Sequence, residues 1–256
     1  MTNHECQTAL ESTRHANSSL TTHHSSPSSW LLWQLVDSAF PTGGFAHSAG
    51  LEAAWQHGEI KNRNELISFV EAGLHQLGHA ALPFVIAAHH EPKRLPEFDQ
   101  LCDAFTSNHV ANRASRAQGK AFLAAVQRIF LVGHASRLSP FKTENANIET
   151  DKMPVLQFNH FPCIFGGALS LLDVPHETAT RLFFFNHLRG IFAAAVRLNI
   201  VGPMEAQSLQ HQFSATAENI LQASASLTLD DIAQSSPLLD LWQGAQDRLY
   251  SRLFQS

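Results

Sequence analysis

The chain has 256 residues, and 15% of them are Asp, Glu, Lys or Arg, against about 25% in an average soluble domain. Its 22 acidic and 17 basic side chains leave a formal charge of −5, which argues against a nucleic-acid binder that works by neutralising phosphates. Three widely spaced cysteines, Cys6, Cys102 and Cys163, give no disulfide framework and fit free thiols in a reducing compartment.

Residues 1–28 are dominated by Ser, Thr, His and Asn. They have too little to bury to offset ordering entropy, and a disordered tail is expected. No basic segment followed by an apolar run marks a secretory leader. Order is expected from Trp30, where Trp30-Leu-Leu-Trp33 and Leu35-Val36 read as a short apolar helix. Phe40-Pro-Thr-Gly-Gly-Phe45 breaks it. Helix resumes over Ser48–His57, and Asn62 or Asn64 caps a segment with Leu66, Phe69, Val70, Gly73, Leu74 and Leu77 on one face. Pro83 interrupts that segment, which continues from Phe84 to His90.

Further helices are expected over Leu95–Phe105, Val110–Val132, Phe161–Leu172, His176–Ile200, Met204–Ala223 and Pro237–Phe254. Gly133–Met153 is polar and unperiodic, a surface loop. Thr178–Ile200 is apolar nearly all round, which marks a central helix. Its neighbourhood, Leu182–Val201, carries Asn186, His187, Arg189, Arg197 and Asn199, so it is no lipid-facing span. No six-residue alternation or hairpin turn points to strands. The reading is an all-α single domain of roughly ten helices over 29–256, in the cytoplasm, with no contact with membrane or nucleic acid.

Local matches to catalytic motifs are poor. Ala46-His-Ser48-Ala-Gly50 is close to a nucleophile elbow, but the preceding segment reads as helix where a strand is needed. Gly73 to Ala80 has phosphate-loop glycine spacing, with His79 and Ala80 in place of Lys and Ser/Thr. His75 and His79 stand four apart and could share a metal ion on a helix. Gln76 replaces the glutamate of a zinc peptidase, which argues against that class; an α-helical metal-dependent hydrolase using His75 and His79 is the second reading. His89-His90 and His109 add ligand-type residues at unknown distance. Asp230-Asp231 reads as negative charge at a helix N-terminus. Arg113, Arg116 and Lys120 form a basic stripe.

Three blocks together resemble the UreF family of urease accessory proteins. The first is Leu35-Val-Asp-Ser-Ala-Phe-Pro-Thr-Gly-Gly-Phe-Ala-His-Ser-Ala-Gly-Leu-Glu52, similar to that family's opening signature. The second is Arg113-Ala-Ser-Arg-Ala-Gln-Gly119 with His160-Phe-Pro-Cys-Ile-Phe-Gly-Gly167. The third is Pro237-Leu-Leu-Asp followed by Leu249-Tyr-Ser-Arg-Leu-Phe-Gln-Ser256. The resemblance implies a helical, non-enzymatic protein that dimerises and binds a UreD/UreH-type accessory protein. That complex recruits the UreG GTPase and apo-urease, with nickel in transit and no cofactor held stably. Physically, Phe40, Pro41, Thr42, Gly43, Gly44, Phe45, His47 and Ser48 offer backbone N–H groups and aromatics to a partner. Tyr250, Ser251, Arg252, Leu253 and Phe254 form an apolar chain end that would fray unless docked. Arg113, Arg116 and Lys120 are the candidates for the face toward the GTPase.

Overall fold

The computed structural model describes residues 29–131 and 158–256. The 1–28 tail and the 133–153 loop lie outside the described residues. Among those described, the regular elements are α1 (Ser29–Val36), α2 (Leu51–Gln56), α3 (Arg63–Gln76), α4 (Leu82–His90) and α5 (Leu95–Phe105). They continue with α6 (His109–Ile129), α7 (Phe161–Leu171), α8 (His176–Arg197), α9 (Pro203–Ser224) and α10 (Pro237–Ala245). No helix among them is long and apolar enough to cross a membrane.

Side-chain caps set two of the starts. Asn62 accepts from the backbone of Asn64 and Glu65 at 2.9 and 3.2 Å. Asn108 does the same for Val110 and Ala111, each cap satisfying N–H groups that lack intrahelical partners. The interruption expected at Pro83 takes the form of a five-residue π turn, Leu77–Ala81, between α3 and α4. Pro83 stands in the first turn of α4, where no α-helical N–H bond is required of it.

α7 is the helix buried all round: every residue from Pro162 to Leu169 is inside. It packs chiefly on α4 and α6, while α8 lies against α9. α8, expected to be central, is more amphipathic than its sequence implied, with Arg181 and Phe185 facing outward. The contact of α7 with α4 is backbone to backbone. A Cβ added at Gly166 would stand 2.2 Å from the Val85 carbonyl oxygen, a distance that only glycine allows.

Two further expectations are corrected. Pro237–Phe254 is not one helix: α10 stops at Ala245, a 3-10 turn spans Gln246–Arg248, and residues 249–256 run without helix. The N–H groups of Leu253 and Phe254 are bonded to the Glu52 carboxyl rather than to carbonyls one turn back. Asp230-Asp231 starts no helix. It sits in the turn between α9 and α10, where the Asp231 carboxylate accepts from the Thr228 amide and hydroxyl.

His187 on α8 has a buried Nε2 without a hydrogen-bond partner, close to Gly73 of α3. Burial pushes its pKa from the ordinary 6.5 down to about 4. Below pH 6.5 the unfolded chain takes up a proton that the folded one refuses, so stability is full at neutral pH and falls between about 6.5 and 4. The expected loss at pH 4.5 is about 2–3 kcal/mol from this residue alone. Urea denaturation of the wild type and of His187→Gln at pH 7 and 4.5 isolates it. Equal losses in both would contradict the assignment.

Candidate functional site

The first and third sequence blocks meet. The loop between α1 and α2 starts at Phe40, whose ring packs between Phe122 and Phe130 with centroids 5.9 and 6.0 Å away. It then turns through Gly43, in the left-handed region at φ 71°, and a 3-10 turn over Gly44–Ala46. The chain end lies along this loop. Gln255 N–H donates to the Ala46 carbonyl at 2.8 Å, and Ser48 N–H to the Ser256 carbonyl at 2.5 Å. The Ser48 hydroxyl donates to the same carbonyl at 3.2 Å, and His47 Nδ1 lies 2.5 Å from Ser256 Oγ. Burial, with Arg113 nearby, lowers the His47 pKa, which favours the neutral ring in that bond.

Glu52 closes the junction from below. It is 1% exposed, and its carboxyl accepts from Leu253 N–H at 2.6 Å, Phe254 N–H at 3.1 Å and Gln246 Nε2 at 2.6 Å. A buried acid needs such a set of donors to offset its desolvation. Gln56 adds a bond to the Ser251 carbonyl at 2.9 Å. Arg197, from the last turn of α8, closes it from above. Its guanidinium lies 4.2 Å from the ring centroids of both Phe45 and Phe254. It donates to the Phe45 carbonyl at 2.7 Å and the Leu253 carbonyl at 3.4 Å. Planar stacking with forked donation is what guanidinium offers and ammonium does not.

The expected partner-binding residues therefore divide. Phe40, Ser48 and Phe254 are buried and hold the junction together. Thr42, Gly44 and His47 are half-buried, and Pro41, Gly43, Phe45, Tyr250, Ser251, Arg252 and Leu253 are exposed. Phe45 is 69% exposed and Tyr250 wholly so. Arg252 donates to Asp247 at 3.1 Å.

Asp247 also receives two bonds from Arg113, at 3.1 and 2.8 Å, and His109 Nε2 lies 3.3 Å away. Arg113 above all, with His109 and Arg252, holds its carboxyl below the usual carboxylate range. The basic stripe is thus partly spent inside the molecule: Arg113 ties α6 to the segment after α10. Arg116 stacks on Phe158 at 5.0 Å, and Lys120 is exposed.

Sequence reasoning did not single out Glu52, Arg197, Gln246 or Asp247. Only Glu52 had a visible cue, as the last residue of the first block.

The second block also closes on itself. Ser115 Oγ is bonded to His160 Nδ1 and accepts from Phe161 N–H, both at 3.1 Å. A Cβ at Gly119 would stand 1.9 Å from the Asn159 carbonyl. Asp99 accepts from the backbone N–H groups of Phe158, Asn159 and His160 at 2.7–2.8 Å, anchoring the start of α7. His160 Nε2 lies 3.0 Å from Asp103. Hydrogen bonds to the Cys163 thiol and His160 hold the Cys102 thiol below its ordinary value, while burial pushes the Cys163 thiol up. Cys, His and Asp stand together as in a nucleophilic enzyme, but Cys102 and His160 are sealed in the core.

The other catalytic candidates have structural partners instead. Ser48 is buried and bonded to Ser256. His79 Nδ1 lies 2.9 Å from its neighbour's backbone, the His75 carbonyl oxygen, in the π turn. No three His, Cys, Asp or Glu side chains among the described residues converge on a metal position. Beneath the loop lies a cavity of about 480 Å³ whose lining includes Phe40, Phe161, Phe183, Asn186, His187 and Arg189.

Fold and site together define an all-α protein whose opening loop and chain end form one closed junction with an aromatic rim. The UreF family model matches residues 60–214. "Urease accessory protein F" of Oryza sativa subsp. indica is 38% identical over 227 residues, covering 88% of this chain and 84% of the relative. The protein of the same name from Arabidopsis thaliana is 36% identical over 234 residues, 89% of this chain and 92% of its own. "Urease accessory protein UreF" of Mycobacterium tuberculosis is 28% identical over 228 residues, 88% and 98% of the two chains. The chain belongs to the UreF family.

Proposed function

We propose that this protein is a non-enzymatic accessory factor of urease maturation, working in the cytoplasm. In this reading it binds a UreD/UreH-type partner, forms a homodimer within the complex, and brings the UreG GTPase to apo-urease. It couples the GTPase state to nickel delivery and retains no cofactor. The observation that carries the reading is the junction. The two terminal blocks of the resemblance make a single surface, with Phe45, Tyr250 and Leu253 standing out of it. Large exposed aromatics beside a rigid, hydrogen-bonded frame are the material of binding hot spots. Arg116 and Lys120, the outward part of the basic stripe, are proposed to face the GTPase.

The test is complementation. A urease-producing host that lacks its own UreF-family gene is expected to regain urease activity with this chain and nickel in the medium. The purified chain alone is expected to hydrolyse no GTP. A well-folded, well-expressed chain that restores no activity alongside its cognate accessory proteins would overturn the proposal.

A further inference from the structure

The cavity beneath the opening loop has no part in holding the junction together. One face of α8 lines it: Phe183, Asn186, His187, Gly190, Ala194 and Arg197 recur there at helical spacing, with Arg189 beside them. Phe40 and Phe161 add to its wall, and the exposed Pro41, Gly43 and Phe45 border it on the solvent side. A volume of about 480 Å³ with aromatic walls and few polar groups is typical of small-molecule pockets, which run from about 300 to 1,000 Å³. Gly190 keeps the space clear, because an added Cβ there meets nothing within 4 Å.

The polar groups in this wall have one sign. No Asp, Glu or Lys lines the cavity, and its permanent charges are Arg189 and Arg197. Arg189 is half-buried and gives its Nη1 to the Val36 carbonyl, and Arg197 donates to the Phe45 and Leu253 carbonyls. Among the described residues neither arginine is paired with a carboxylate. Asp37, exposed just beyond α1, attracts Arg189, but burial outweighs that attraction and lowers the Arg189 pKa. A buried cation without a counter-charge is costly, and an anion in the cavity relieves that cost. Asn186 Oδ1 and His187 Nε2 are also buried without hydrogen-bond partners. Such orphans are exceptions in folded proteins and mark places where a further polar group belongs.

We propose that this cavity binds a small organic monocarboxylate, its head on Arg189 and its apolar body among Phe40, Phe161 and Phe183. With Nη1 spent on Val36, Arg189 keeps Nε and Nη2, an edge of the guanidinium that grips a carboxylate through two parallel bonds. A turn of the Asn186 amide offers its NH₂ group to the same head, and the neutral His187 ring has one N–H to give. An inorganic anion would leave the aromatic wall unfilled, and an uncharged apolar molecule would leave Arg189 without its counter-charge. The inference does not rest on the proposed function.

The test titrates the untagged full chain with phenylacetate, with its uncharged isostere phenylacetamide and with acetate, read by ligand-observed NMR. Phenylacetate is expected to bind saturably, and the other two at least about tenfold more weakly, since each lacks either the charge or the body. Arg189→Gln is expected to weaken phenylacetate at least about tenfold and to leave phenylacetamide unchanged. Gly190→Leu, which places a side chain in the cavity, is expected to abolish binding of both with unchanged circular dichroism. That second variant keeps the test decisive if Arg189→Gln, which also loses the bond to Val36, fails to fold. No saturable binding of phenylacetate at millimolar concentration, equal affinity for the acid and the amide, or wild-type affinity in Gly190→Leu would overturn the proposal.

Discussion

Replacing Glu52 with alanine is expected to release residues 249–256 from the body of the protein while α3 to α9 stay folded. Leu253 N–H, Phe254 N–H and Gln246 Nε2 all end on this one carboxyl. The two amides lose their acceptor and Gln246 Nε2 keeps only the Phe254 carbonyl at 3.3 Å; at about 1 kcal/mol per group the junction weakens by roughly 2–3 kcal/mol. The chain end escapes this cost by undocking into water, which is why local release is expected before global unfolding. Hydrogen exchange at the Leu253, Phe254 and Gln255 amides is the measurement. Protection should collapse in Glu52→Ala and survive in part in Glu52→Gln, which retains one acceptor oxygen. Full protection in the alanine variant would show that the carboxyl does not hold the tail.

Gly166→Ala is expected to lower global stability sharply. In an exposed helix that substitution gains up to about 1 kcal/mol. Here the added Cβ would stand 2.2 Å from a backbone carbonyl of α4. No side chain is available to swing aside, so α4 and α7 must separate along the best-buried seam of the fold. Overpacking of this kind costs about 3 kcal/mol or more. Gly190 in α8 is the internal control, because an added Cβ there meets nothing within 4 Å, and Gly190→Ala should be neutral or mildly stabilising. The urea midpoint should fall in Gly166→Ala and hold or rise in Gly190→Ala. A Gly166→Ala protein as stable as wild type would refute the backbone contact.

Much of the helical plan was legible because local chemistry decided it. Leu95–Phe105 is legible to the residue, and of the two candidate caps Asn62 and Asn64 it is Asn62 that caps α3. Pro83 marks the place where α3 gives way to α4, but sequence alone does not say that a π turn rather than a loop joins them. The last segment was misread because its periodicity is helical while its hydrogen bonds go to residues about 200 positions away.

The site was legible as two segments and not as one object. Nothing local in Ser48 or Ser256 foretells their pairing. Arg197 sits in an apolar run, and only the fold shows that Phe45 and Phe254 flank it. The low charge is partly answered by the exposed aromatics Trp30, Trp33, Phe45 and Tyr250, which stand where an ordinary surface carries charge.

Truncating Ser251–Ser256 is a poor probe of partner binding, because it also strips Glu52 of two donors. The central claim is that the junction is a frame and its rim is the docking face. The triple variant Phe45→Ala, Tyr250→Ala, Leu253→Ala removes the rim side chains and leaves every backbone bond of the frame in place. Co-purification of this variant with a tagged UreD/UreH-type partner, with hydrogen exchange showing the tail still docked, is the direct measurement. The account predicts that the complex is lost while residues 249–256 remain protected; a complex recovered at the wild-type level with those side chains gone would contradict it.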